Sequence, residues 1–152
     1  MNQQFFDRPQ IAVSGYEFKG MGIGEVLDFL ERLDVRFLEL WPDNVEGEDL
    51  SAVRRELEAR HMQVSCVSAM SAHRLNQEVT EAAQEAIFRS LALAKELGAP
   101  FVTTYVGSNP GRDPFTTIKF YVRDLEPCLR EAASHGITIL LENMFDHRGE
   151  DP

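Results

Sequence analysis

The sequence predicts an α/β fold built on a parallel sheet. Short apolar runs alternate with helical stretches along the whole chain, in the order βαβαβαβαβ. The runs are nearly continuous in apolar residues, as strands covered by helices on both faces require. They begin near residues 11, 35, 63, 101 and 137, about 31 residues apart on average. A (β/α)8 barrel needs about 250 residues, so the 152 residues present would supply a little over half of one, about five strands and four helices. An open, doubly wound five-stranded sheet also fits this length. The two differ in strand order: sequential 1-2-3-4-5 along a barrel arc, or 2-1-3-4-5 in an open sheet.

Each element has its own signal. The segment 11–18, "IAVSGYEF", starts as a short strand. The helix over 23–34 carries Val26, Leu27, Leu30 and Leu33 on one face. The second strand is 35–41, "VRFLELW". The second helix, 48–62, has Leu50, Val53 and Leu57 in register, with Asp49 or Ser51 as its cap. The third strand covers 63–69. A long helix over 78–98 bears Val79, Ala83, Ala86, Ile87, Ala94 and Leu97, and Gly98 stops it. The fourth strand is 100–107. The last helix, 114–136, turns Ile118, Tyr121, Val122, Leu125, Leu129 and Ala132 inward, is kinked or split at Pro127 and ends at Gly136. "ITILLE", 137–142, is the fifth strand. We read 1–152 as a single domain, which as a barrel would be a truncated one.

Composition narrows the function. The chain is 43% hydrophobic and 26% charged, as in ordinary globular proteins, and its net charge of −10 argues against nucleic acid or an anionic membrane as partner. It suits small-molecule chemistry and tolerates a divalent cation. No apolar run approaches a membrane span and no secretory signal is visible, so the cytoplasm is the expected location. Cys66 and Cys128 form no CxxC pair and read as two reduced, buried thiols. The loop "SGYEFKGMGIGE" has Gly20, Gly22 and Gly24 but neither GxGxxG nor GK[ST], which weakens a nucleotide- or flavin-binding reading. No GxSxG elbow supports a serine nucleophile.

Strand alternation assigns faces. Thr138, Leu140 and Glu142 share one face of the fifth strand, and Phe37, Glu39 and Trp41 one face of the second. Two glutamates thus stand near the C-terminal ends of parallel strands, where α/β proteins keep their active sites. A carboxylate there is costly unless paired, hydrogen-bonded or metal-bound. Tyr105 ends the fourth strand and His73 follows the third. Asn143, Asp146, His147 and Arg148 follow Glu142, either as further ligands or as a polar tail. Trp41 serves equally as a pocket wall or as core.

"FLELW" on strand two and "HGITILLEN" on strand five resemble the xylose isomerase-like TIM-barrel superfamily, above all its sugar phosphate isomerase/epimerase branch. The resemblance covers the whole chain but only the N-terminal half of that fold. It implies a divalent-metal-dependent isomerase or epimerase acting on a sugar or similar hydroxy-ketone. Glu142 would be both metal ligand and acid/base, the metal would be Mn²⁺, Mg²⁺ or Co²⁺, and the remaining Asp, His and Glu ligands would lie on later strands. Glu39, Trp41, His73, Tyr105 and Asn143 would contact substrate. The sequence has Met144 where many members place a histidine. Tyr105 stands in place of a metal-binding histidine of the endonuclease branch, which with the negative charge counts against DNA repair. The contrasting expectation is a half barrel without a complete site, whose open sheet edges invite pairing with another copy of itself.

Overall fold

A computed structural model of the chain describes residues 11–69, 81–106, 119 and 122–143. Five strands, β1 (Ala12–Ser14), β2 (Phe37–Leu40), β3 (Gln63–Ser68), β4 (Phe101–Val106) and β5 (Thr138–Asn143), form one sheet in the order β1-β2-β3-β4-β5, with every neighbouring pair parallel. Sequential order excludes the 2-1-3-4-5 open sheet and gives the arc of a barrel. Helices α1 (Ile23–Arg32), α2 (Leu50–Ala59), α3 (Glu81–Leu97) and α4 (Glu126–Ser134) alternate with the strands.

The core lies between the helices and one face of the sheet. Leu38, Leu40, Val64, Val67 and Val102 from the strands meet Val26, Leu27, Leu30, Val53, Leu57, Ile87 and Leu91 from the helices. These are the stripes that helical periodicity picked out, and their burial is the main favourable term of folding. Side-chain caps and glycines set the helix ends. Asp49 accepts a hydrogen bond from the Ser51 amide at the start of α2 (3.0 Å). Gly98 (φ +73°) and Gly136 (φ +68°) take the left-handed conformation after α3 and α4. Also at a helix C-terminus, Arg60 bridges Asp28 and Glu31 of α1 and Glu56 of α2 (2.6, 3.0 and 2.8 Å), tying two adjacent helices together.

Some expectations are corrected. The first strand stops at Ser14 and the chain turns into a 3₁₀ turn, Gly15–Phe18. Leu33 is 57% exposed, because it caps α1 and lies past its last turn. Val122 is also exposed, while Leu125 and Ala132 are buried as the stripe required. Pro127 splits the last helix: α4 starts with the proline in its first turn, where a missing amide costs nothing. Val79, Ile118 and Tyr121 lie outside the described residues. Both thiols are free, Cys128 buried and Cys66 half-buried. Among the described residues no helix is long and apolar enough to cross a membrane.

Two measurements test this packing. Leu27→Ala removes a fully buried side chain and should cost about 2–5 kcal/mol of unfolding free energy in urea titrations, whereas Leu33→Ala should stay within about 0.5 kcal/mol. The second concerns Cys128. Burial pushes its thiol up to about 11 from 9.0, so it ionises in the unfolded chain first. The thiol's contribution to stability is complete below about pH 9 and is lost as pH rises to about 11, a change of order 2–3 kcal/mol. Urea midpoints between pH 8.5 and 10.5 should therefore fall more steeply in the wild type than in Cys128→Ala.

Candidate functional site

The sheet's other face is polar, and register decides which residues reach it. Ser14 pairs with Glu39, Ser68 with Thr103 and Tyr105 with Glu142. In parallel strands such partners share a face. Between β2 and β3 the register shifts: Leu38 pairs with Val64, but Glu39 pairs with Cys66. Ser65 is the extra residue of a bulge, and its hydroxyl donates to the Leu38 carbonyl (3.1 Å). The shift keeps Val64 and Val67 both in the core and turns Cys66 and Ser68 to the polar side.

A cluster results. The Cys66 thiol contacts the Thr103 hydroxyl (2.6 Å) and the Ser68 hydroxyl lies 3.4 Å from that of Tyr105. The Ser68 carbonyl accepts from the Ser90 hydroxyl of α3 (3.5 Å), anchoring the strand to the helix layer. Burial, and next the charges of Glu39 and Glu142, push the Cys66 thiol up, against the opposing pull of its contact with Thr103. Burial also raises the Tyr105 hydroxyl, with Glu142 and Glu39 adding to it and Ser68 opposing. Both groups are neutral at pH 7. Tyr105 is thus a hydrogen-bond donor rather than a phenolate base, and Cys66 a thiol rather than a nucleophilic thiolate. Glu39 pairs with Cys66 and Glu142 with Tyr105, so both carboxylates lie on the same face of the sheet as these two groups.

The β1–β2 end of this face is built by the loops. Trp41 donates its indole N–H to the Ser14 hydroxyl (3.1 Å), which also accepts from the Tyr16 amide (3.4 Å). Asn44 is buried and works in both directions: its Oδ1 accepts from the Trp41 amide (3.0 Å) and its Nδ2 donates to the Gly15 carbonyl (3.2 Å). A Cβ on residue 15 would fall on Asn44 Oδ1, so glycine is required there. The Tyr16 ring rests on Trp41, with centroids 4.8 Å apart and planes at 53°.

The sequence candidates divide accordingly. Glu39, Trp41, Tyr105 and Glu142 come together on one face. Glu39 is half-buried, and Glu142 is exposed at the end of β5, an edge strand whose Leu140 is 40% exposed. Asn143 pairs its backbone with Val106, and its side chain is outside the described set. His73, Asp146, His147 and Arg148 also lie outside the described residues. Ser14, Asn44, Cys66, Ser68 and Thr103 were missed. The polar positions in "QVSCVS" were a usable signal for Cys66 and Ser68. Nothing local marked Asn44, which looks like an ordinary turn residue.

Carboxylate oxygens suit hard divalent ions such as Mg²⁺ and Mn²⁺, so the donor chemistry of Glu142 and Glu39 fits such a metal. Among the described residues no group of three His, Cys, Asp or Glu side chains gathers to hold one.

Replacing Asn44 with Ala would orphan the Trp41 amide and the Gly15 carbonyl. The expected cost is about 2 kcal/mol of stability, with a red-shifted Trp41 emission as the indole loses its anchoring turn.

None of the curated proteins matches the chain. Solved structures do. A D-tagatose 3-epimerase-like protein superposes with TM-score 0.71 at 17% identity, covering 92% of this chain and 55% of its own. The IolI protein with a bound zinc atom gives TM-score 0.71 at 15% identity, covering 90% and 52%. AsbF, a probable 3-DHS dehydratase from Bacillus anthracis, gives 0.69 at 15%, covering 88% and 52%. At these identities the likeness is one of fold, and the chain spans about half the length of these structures. The sequence pattern of xylose isomerase-like TIM barrels matches residues 27–151, and the chain belongs to that family.

Proposed function

We propose that the chain carries the first part of the active site of a divalent-metal-dependent isomerase or epimerase, acting on a sugar or similar hydroxy-ketone. The observation that supports this most is the convergence of Glu39 and Glu142 with the neutral Tyr105 and Cys66 on the one polar face of an otherwise apolar parallel sheet. Neighbours of the same fold include a D-tagatose 3-epimerase-like protein and a zinc-bound barrel.

In this reading Glu142 is metal ligand and acid/base. One of its oxygens takes the proton from the substrate carbon next to the carbonyl, leaving an enediolate, and the proton is returned to the neighbouring carbon or to the opposite face of the same one. Mn²⁺, Mg²⁺ or Co²⁺, when bound, supplies positive charge for the two adjacent substrate oxygens. Tyr105 donates a hydrogen bond to a substrate oxygen, as its protonated state allows. Glu39 accepts from a substrate hydroxyl, and Trp41 lines the β2 side. His73 and Asn143 are further substrate contacts in this proposal, and the remaining ligands come from outside the described residues.

A second reading is favoured by the length comparison. The chain spans about half the length of its solved neighbours; taken by itself, such a half barrel would carry only part of a site and would offer its β1 and β5 edges to a second copy.

Proton abstraction is read directly by deuterium wash-in. With Mn²⁺ and a panel of ketoses in D₂O, NMR should show exchange at the carbon next to the carbonyl. Glu142→Gln should reduce it at least about 10³-fold and weaken Mn²⁺ binding, since a neutral amide neither takes a proton nor matches a carboxylate as ligand. Absence of exchange with every ketose, in a chain that binds no Mn²⁺, would leave the half-barrel reading standing.

A further inference from the structure

The end of the sheet opposite Tyr105 and Glu142 carries a cavity of about 430 Å³. It is lined by Ala12, Phe37, Gln63 and Phe101, at the N-terminal ends of β1 to β4, and by Leu57 and Leu97, near the C-terminal ends of α2 and α3. Met62, which leads into β3, is buried in the same lining. Arg54 and Glu58 pair at 3.1 Å on the α2 side. The walls are mainly apolar, yet Phe101 is 39% exposed and Ile11, next to Ala12, is 73% exposed. Apolar walls left open to water in this way mark a surface with an occupant.

Residues 1–10 lead directly into this end, since β1 starts at Ala12. They lie outside the described residues, and their sequence, "MNQQFFDRPQ", sets two adjacent aromatics in a polar stretch. We infer that residues 2–10 fold back under the sheet and seat Phe5 and Phe6 in this cavity, closing the N-terminal end of the arc. The reach suffices. β1 and β4 are three strand spacings apart, about 14 Å, and an extended chain from Phe6 to Ile11 spans about 17 Å. Seating two phenyl rings against Leu57, Leu97 and Phe101 removes apolar surface from water on both sides of the contact. Charge agrees as well. Asp7 and Arg8 follow the aromatics and meet the Arg54–Glu58 pair, each sign opposite its complement. The seat lies at the far end of the strands from the candidate site, so the inference stands independently of the isomerase reading. It makes the segment a floor that keeps water from the underside of the polar face.

Met62 lies in the lining and the chain has five methionines, so NMR of the full chain labelled with ¹³C in its methionine methyls reads the cavity directly. The Met62 signal is identified by its loss in Met62→Leu. Phe5→Leu combined with Phe6→Leu keeps apolar bulk and removes both ring currents. It should move the Met62 signal and leave that of Met21, which precedes α1 at the other end of the sheet. Phe5→Ser combined with Phe6→Ser should move it too and lower Tm by about 5 °C, because the polar side chains forfeit the burial. If the serine variant fails to fold, the leucine variant decides. A Met62 signal unmoved in the leucine variant overturns the inference. So does a wild-type Met62 signal that moves on dilution, which would assign the cavity to a second copy of the chain.

Discussion

One inserted residue in β3 sets the character of both faces of the sheet. A strict alternation through "QVSCVS" would place Val64 and Cys66 on one side and Val67 on the other. The bulge at Ser65 resets the parity, so that Val64 and Val67 both enter the core and Cys66 and Ser68 both leave it. The Ser65 hydroxyl bonds to the Leu38 carbonyl at the irregularity, helping to offset the disrupted ladder. Without the shift, Cys66 would face the helices, and Glu39 would have Ser65 as its neighbour. The polar face depends on that local defect more than on any single hydrogen bond within it.

From this follows a division of labour between the layers. The helix-side face supplies stability through apolar burial and carries almost no chemistry. The opposite face carries the titratable groups, and their environment keeps Tyr105 and Cys66 protonated beside two carboxylates. The loops on the β1–β2 side are stiffened by polar contacts rather than by a core of their own. Asn44 joins the turn after β1 to the strand end at Trp41, beside the Trp41–Ser14 hydrogen bond. Such buried bridges are costly to break, which is how a loop can hold side chains as firmly as a strand does.

The helices were legible in the sequence because their stripes repeat within one element: Val26, Leu27 and Leu30, or Ala83, Ile87 and Ala94, need no distant information. Leu33 and Val122 misled for a related reason, since periodicity continues on paper past the point where a cap or a break ends the helix. Glu39 and Glu142 were legible as carboxylates at the tips of apolar strands. Asn44, Ser14 and Thr103 were not, because their roles consist of contacts with residues 27 to 37 positions away.

By itself the sequence determined the fold class and the number, direction and order of the strands. Those properties follow from local periodicity and from the handedness shared by all βαβ units. Only the tertiary structure decided the register, the side of β3 that faces Glu39 and the partners of Trp41 and Cys66. Register between strands is a long-range quantity, fixed by which pairing buries Leu38, Val64, Val67 and Val102 together, and no single segment contains it.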